Sequence, residues 1–169
     1  MKRFSVTNLF TPKATTHNQS LFWLSGQQLK LVTGNKRSVH QLADNSGFLA
    51  NKVADFSLAL ETLRNVCQTS GLKFINLWFR NKAIVFIPTD SSPLEKKLFQ
   101  QLFNQLGFNQ LELRKYETAF RAFLAKQDYE KGCFVYVGQE VSEIGVFASN
   151  DQQSFNIYYS LQEAIEETI

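Results

Sequence analysis

"KAIVFIPTDSSPLEKKLFQQLFNQLGFNQLELRKYETAFRAFLA", residues Lys82–Ala125, holds the alternation on which the fold turns. The apolar run Ala83–Ile87 closes at Pro88, which has no N–H to give a sheet ladder, and reads as a buried strand. Ser92, Pro93 and Glu95 then supply an N-cap, a first-turn proline and a capping-box partner. Leu94, Leu98, Phe99, Leu102, Phe103 and Leu106 follow at helical spacing as one buried stripe, which Gly107 ends. "QLELR" (Gln110–Arg114) reads as a short strand. Tyr116, Ala119, Phe120, Phe123 and Leu124 mark one face of a further helix. The stretch is strand, helix, strand, helix.

Upstream, Ala59, Leu60, Leu63, Val66 and Cys67 recur at the same period, with Asp55 as N-cap and Gly71 as stop. "FINLWF" (Phe74–Phe79) is an apolar run between that helix and Arg80-Asn81. "LFWLSGQQLKLVTG" (Leu21–Gly34) reads as a β-hairpin with arms Leu21–Leu24 and Leu29–Val32 around Gly26-Gln27. "KRFSVTNLF" (Lys2–Phe10) is a candidate strand, and "NKRSVHQLADNSG" (Asn35–Gly47) reads as a polar connection. Downstream, "FVYVGQEVSEIGVFAS" (Phe134–Ser149) runs apolar to Gly138, crosses a polar turn and leaves as a second apolar run. "SFNIYY" (Ser154–Tyr159) is another strand. The tail "SLQEAIEETI" is amphipathic, with Leu161, Ala164, Ile165 and Ile169 on one side and Glu163, Glu166 and Glu167 on the other.

The expectation is one α/β domain with no internal repeat or linker: a central mixed sheet flanked by helices. The sheet is expected to hold strands near Leu21–Leu24, Leu29–Val32, Ala83–Ile87, Leu111–Leu113, Phe134–Val137 and Ile144–Phe147. Helices near Asp55–Ser70, Pro93–Leu106 and Tyr116–Lys126 are expected to pack on it.

The chain's 169 residues suffice for one domain with a real core. Hydrophobic residues at 44% and charged ones at 20% match a globular protein. A net charge of +3, with both signs interspersed, argues against nucleic acid, which leaves a basic stripe as its footprint. Phe outnumbers Trp and Tyr at 16 against 2 and 5, a pattern of core filling rather than of base stacking. Cys67 and Cys133 fall in apolar segments and read as reduced core thiols. No apolar run is long enough to span a bilayer, and the N-terminus lacks the apolar stretch of a secretory signal, so a cytoplasmic protein is expected.

Several tempting motifs fail on spacing. "TGNKRS" (Thr33–Ser38) is no nucleotide P-loop, because Asn35 separates Gly34 from Lys36 and Leu29 stands where an upstream Gly is required. His17 and His40 have no Cys, Asp or Glu at ligand spacing, so no metal is expected. No Ser-His-Asp or Cys-His arrangement has the context of a nucleophile. Glu140 and Glu143 straddle a turn as a solvated hairpin edge. Lys2-Arg3 and Lys96-Lys97 read as solvated surface.

Taken together, three stretches resemble the first lobe of the actin-like ATPases, and most closely the bacterial rod-shape (MreB) family. "GFLANKVADFSLALETLRNV" (Gly47–Val66) resembles that family's G-x-I-x-D-F entry into a helix. Lys82–Ala125 resembles its strand, V-P-S turn, E-x-R helix, next strand and the helix that opens with E-P-x-A-A-A. "GCFVYVGQEVSEIGVFA" (Gly132–Ala148) is similar to its second phosphate hairpin, aspartate–hydrophobe–Gly–Gly–Gly–Thr–Thr. "THNQSLFWLSGQQLKLV" (Thr16–Val32) fits the first phosphate hairpin more loosely. The implied fold is a single actin-like, ribonuclease-H-like lobe spanning residues 1–169. The insertion subdomain is reduced to Asn35–Ser46, and the second lobe is absent beyond about Ser160.

The departures from the pattern decide what the resemblance implies about function. Tyr136 stands where the family aspartate holds hydrated magnesium. Gly138 is kept, but Gln139 and Glu140 replace glycines whose backbone must approach the phosphates. Two unit charges about 4 Å apart repel by roughly 4 kcal/mol at an effective dielectric of 20, so Glu140 opposes a phosphate. The D-x-G-T of the first hairpin falls near Ala14–His17, without Asp or Gly. The catalytic glutamate falls near Tyr116, with Glu117 one residue off; a one-residue shift would restore that carboxylate, whereas the other losses have no such remedy. The implied protein has no catalytic residues, cofactor or metal. It is a scaffold or adaptor for a protein partner or for itself, in cell-shape, division or pilus machinery. Phe155, Ile157, Tyr159, Leu161, Ile165 and Ile169 form the expected interface. The alternatives are one lobe of an ATP-binding actin-like ATPase and an unrelated α/β interaction domain.

Overall fold

Tight turns build the first half of the main sheet. In a computed structural model that describes residues 19–72, 81–119, 122, 131–137, 142–148 and 154–158, β1 (Gln19–Ser25) and β2 (Gln28–Thr33) form the expected hairpin. They run antiparallel with Leu24 opposite Leu29 and Ser25 opposite Gln28, which leaves Gly26-Gln27 as the turn. Gly26 takes φ +59°, a conformation that glycine adopts without a Cβ penalty. β3 (Lys36–Gln41) continues the meander, with Thr33 opposite Lys36. On the other side of β1, β6 (Lys82–Ile87) pairs parallel to it and β7 (Gln110–Lys115) parallel to β6. The sheet order is β3-β2-β1-β6-β7.

Parallel neighbours require crossovers, and helices supply them. α1 (Phe56–Thr69) lies between β3 and β6 in the chain, and α2 (Pro93–Gln105) between β6 and β7. Both start as expected. The Asp55 carboxylate accepts from the Leu58 N–H, and Ser92 and Glu95 close a full capping box. Ala59, Leu60, Leu63, Val66 and Cys67 are the buried residues of α1, as their spacing predicts. In α2, Phe99, Leu102 and Phe103 are buried, but Leu94 is 68% exposed. The predicted stripe began one turn too early: Leu94 lies in the first turn, directly after Pro93, and stays outside the core.

Both helices share one core with alternate residues of the sheet: Phe22 and Leu24 of β1, Leu29 and Leu31 of β2, and Ala83, Val85 and Ile87 of β6. Phe22 packs edge-on to Phe103 and Phe108, with centroids at 4.8 and 5.5 Å. Trp23 and Phe86 face the opposite side, where Tyr116 stacks on Trp23. Between β3 and α1 sits a small hairpin of β4 (Phe48–Leu49) and β5 (Lys52–Val53). The residue just before it explains the glycine of the helix entry. Gly47 holds φ +82°, its carbonyl accepts from the N–H groups of Ala54 and Asp55, and a Cβ there would meet the Ala59 nitrogen at 2.2 Å.

Two expectations are overturned. The polar connection Asn35–Gly47 contains β3, which ends the sheet as an edge strand; its exposed, polar sequence has no alternation to betray it. The strands near Phe134–Val137 and Ile144–Phe147 do not join the central sheet. They are β8 (Lys131–Val137) and β9 (Ser142–Ala148), which with β10 (Ser154–Tyr158) make a separate antiparallel sheet of order β10-β9-β8. A hairpin records its own pairing locally but not the sheet it joins. "KRFSVTNLF" and "FINLWF" lie outside the described residues. Of the helix expected over Tyr116–Lys126, residues 116–119 and 122 are described, as helical. No helix among the described residues is long and apolar enough to cross a membrane.

Candidate functional site

The first hairpin turn is tied to its surroundings at both residues. The Gly26 N–H donates to the Asn51 side-chain oxygen at 2.7 Å. Asn51 lies in the β4–β5 turn at φ +61°, a left-handed conformation that asparagine tolerates better than most residues, and is buried. The Gln27 amide nitrogen donates to Asp44 at 2.6 Å, and the Gln27 carbonyl accepts from the Leu42 N–H at 2.7 Å. The N–H that a phosphate-binding turn would aim at an anion is thus spent on Asn51.

Tyr116 lies beside this turn. It is 1% exposed, its hydroxyl donates to the Leu24 carbonyl at 2.6 Å, and its ring stacks on Trp23 with centroids 5.0 Å apart and planes 6° from parallel. Trp23 also packs on Phe86 at 5.1 Å. The three rings fill the face of the sheet at the C-terminal ends of β1 and β6, the end from which ligand sites of parallel strands open.

On the other side of the β4–β5 hairpin, Lys52 bridges Asp90 at 2.8 Å and Glu95 at 3.3 Å. Burial pushes the Glu95 carboxyl up, but the Ser92 N–H and hydroxyl and the Lys52 ammonium outweigh it and hold it below its usual range. Burial lowers Lys52, and its two carboxylate partners more than reverse that. Cys67 is fully buried, and burial pushes its thiol up to about 12, so it is an inert core residue as expected. Cys133 has no described side chain.

In the second hairpin, Tyr136 stands opposite Glu143 and Val137 opposite Ser142. Gly138, Gln139 and Glu140 lie outside the described residues, between those paired positions. Of the expected interface, Phe155 pairs with Gly145 and Ile157 with Glu143 in β10, whereas Tyr159, Leu161, Ile165 and Ile169 lie outside the described residues. The sequence had placed the first D-x-G-T near Ala14–His17. Those positions precede β1, and the hairpin turn itself is Gly26-Gln27. Asn51 and Trp23 escaped the sequence reading; the one available signal was the Asn-Lys dipeptide between two half-apolar pairs.

No protein-family model and no curated protein sequence matches the chain. Solved structures do. MreB5 of Spiroplasma citri, crystallised with AMPPNP, superposes with a TM-score of 0.64 over 92% of this chain and 56% of that one, at 11% identity. The MamK double helical filament gives 0.56 over 89% and 59%, at 12% identity. The chain has the actin-like fold. The ethanolamine utilization protein EutJ from Carboxydothermus hydrogenoformans gives 0.57 over 83% and 51%, at 14% identity. The chain therefore spans 51% to 59% of the length of these actin-like neighbours.

The resemblance drawn from the sequence implied magnesium and ATP for such a fold, and the residues do not fit them. The first turn has no carboxylate and spends its Gly26 N–H on Asn51. Near the position matched to the catalytic glutamate, the Tyr116 hydroxyl is committed to Leu24, and Glu117 follows it. In the second hairpin the position matched to the metal-holding aspartate is Tyr136.

Proposed function

We propose that this actin-like chain is a non-catalytic scaffold or adaptor: it keeps the fold as a platform for another protein or a second copy of itself and does not hydrolyse ATP. The observation that carries the reading is the Trp23–Tyr116 stack, closed by the hydroxyl bond to Leu24, at the position where the resemblance puts the catalytic glutamate. Glu117, one residue on and half-buried, is the carboxylate that a one-residue shift of the match would put at that position. Its setting is the bacterial cytoplasm, in cell-shape, division or pilus machinery. Support for self-association comes from the MamK neighbour, described as a double helical filament. A rival reading, one lobe of an ATP-binding ATPase, draws on the AMPPNP bound by the Spiroplasma MreB5. Calorimetric titration with Mg-ATP separates the two, alongside a phosphate-release assay. The expected result is no saturable heat and no release above buffer. A micromolar, magnesium-dependent affinity overturns the scaffold reading and establishes a divergent ATPase.

A further inference from the structure

At the outer edge of the main sheet, β3 presents Lys36, Ser38 and His40 on one face, because alternate residues of a strand point the same way. Their partners in β2 are Thr33, Leu31 and Leu29, so this face is the one packed under α1. The C-terminal end of α1 brings Ser70 onto it. His40 Nε2 stands 2.8 Å from Ser70 Oγ and 2.9 Å from Ser38 Oγ, and the two hydroxyls are 3.3 Å apart. A cleft of about 270 Å³ opens over them, lined by Leu31, Thr33, Lys36, Arg37, Ser38 and Ser70. Lys36 and Arg37 are exposed at its rim.

One ring nitrogen facing two hydroxyls has a definite consequence. When Nε2 carries its proton, it points at the hydroxyl lone pairs; one hydroxyl can donate to the other across 3.3 Å, and the O–H of the second is left to turn into the cleft. When Nε2 is bare, it accepts from one hydroxyl, and the second donates either to the first or to a group in the cleft. The arrangement is a donor set beside two cations, with no carboxylate among its lining residues. The C-terminal end of α1 works against an anion here, an effect reduced by the capping of the Val66, Cys67 and Gln68 carbonyls by the N–H groups of Ser70, Leu72 and Gly71, and offset by the Lys36 and Arg37 charges.

We infer that this cleft binds a small tetrahedral oxyanion of the phosphate class, free or as the monoester end of a small molecule, held by Ser38, Ser70 and Lys36. Phosphate is favoured over sulfate because a hydroxyl both donates and accepts, and phosphate near neutral pH keeps a proton that a serine oxygen can receive. The site is separate from the Gly26-Gln27 turn, which lies at the other end of β2 from Thr33, and it uses side chains of Thr33–Ser38, the stretch whose spacing fails a nucleotide P-loop. It stands whether or not the scaffold reading does.

The test is a titration of the ¹⁵N-labelled full chain with inorganic phosphate, against chloride and sulfate at matched ionic strength, with glycerol phosphate as a second arm. The amides of residues 36–40 and Ser70 are expected to shift saturably with phosphate at millimolar concentration, and the Ser38→Ala/Ser70→Ala double variant to weaken binding at least tenfold. Lys36→Gln, at an exposed edge position, is expected to weaken it several-fold without affecting folding, and it stands in if the double variant does not fold. Glycerol phosphate shifting the same amides assigns a monoester ligand; shifts with inorganic phosphate alone assign the free ion. Equal shifts with sulfate, no saturation, or unchanged affinity in the variants overturns the site.

Discussion

A carboxylate at position 116 would have to lose its water between an indole ring and the Leu24 carbonyl, which is itself an acceptor. A buried charge without a counter-ion costs several kcal/mol, and here it would face a like partial charge. The tyrosine suits the position because its ring extends the aromatic stack while its hydroxyl donates to the Leu24 carbonyl. Tyr116→Phe keeps the stack and loses the hydrogen bond, so it is expected to cost about 1 kcal/mol in urea unfolding. Tyr116→Glu restores the side chain that the resemblance calls for and is expected to cost about 3 kcal/mol or more, with no gain of ATPase activity. A Glu variant as stable as the parent, or one that hydrolyses ATP, would show that this position had been read wrongly.

The start of α2 joins sequence-local and tertiary chemistry. Glu95 closes the capping box on Ser92 and also meets Lys52 from β5. Its folded-state carboxyl lies below the ordinary value of 4.5, so its contribution is complete above that pH. As pH falls below 4.5, the unfolded chain takes up the proton first and the contribution drains away. Lys52, raised above 10.5 by its partners, loses its contribution only as pH rises past that value. Glu95→Gln is therefore expected to flatten the fall in stability between about pH 5 and pH 3, measured by denaturant midpoints, while leaving the neutral-to-alkaline limb less changed. An acid limb as steep as the parent's would assign the loss to other carboxylates, Glu112 first, which Lys82 and Arg114 hold low against a smaller effect of burial. The cap and the stripe of this helix were legible because both are written within a few residues, and so was the first hairpin, with Gly26-Gln27 between two apolar arms. β3 was not, because an edge strand facing water can be polar at nearly every position. Nor was the Asn51 latch, because its partner lies 25 residues away and no local rule links them.

At the scale of the whole chain, the separate β8-β9-β10 sheet changes what should hold together. Among the described residues, the core of the main sheet is assembled between Phe22 and Leu113: β1, β2, β6, α1 and α2 supply its buried members, with Leu42, Leu106 and Phe108 from the connections. The edges of the main sheet are β3 and β7, and neither is paired with β8, β9 or β10 among the described residues. β8, β9 and β10 repeat the antiparallel meander of β1, β2 and β3, but β8 has no parallel neighbour among the described residues where β1 has β6. A three-stranded meander needs a covered face to be stable by itself, whereas a five-stranded sheet with two packed helices already has one. A chain truncated after Ala125, which keeps the Tyr116 contacts, is therefore expected to unfold cooperatively, with a urea midpoint within about 1 M of the full chain's, an allowance of roughly 1–3 kcal/mol at typical m-values. The piece from Lys126 onward is expected to show no cooperative transition alone. Should the truncated chain prove unfolded, the two sheets would form one cooperative unit, and the single domain expected over residues 1–169 would stand. If it folds as expected, the second meander is available for association, and self-association measured by sedimentation should weaken when residues 126–169 are removed.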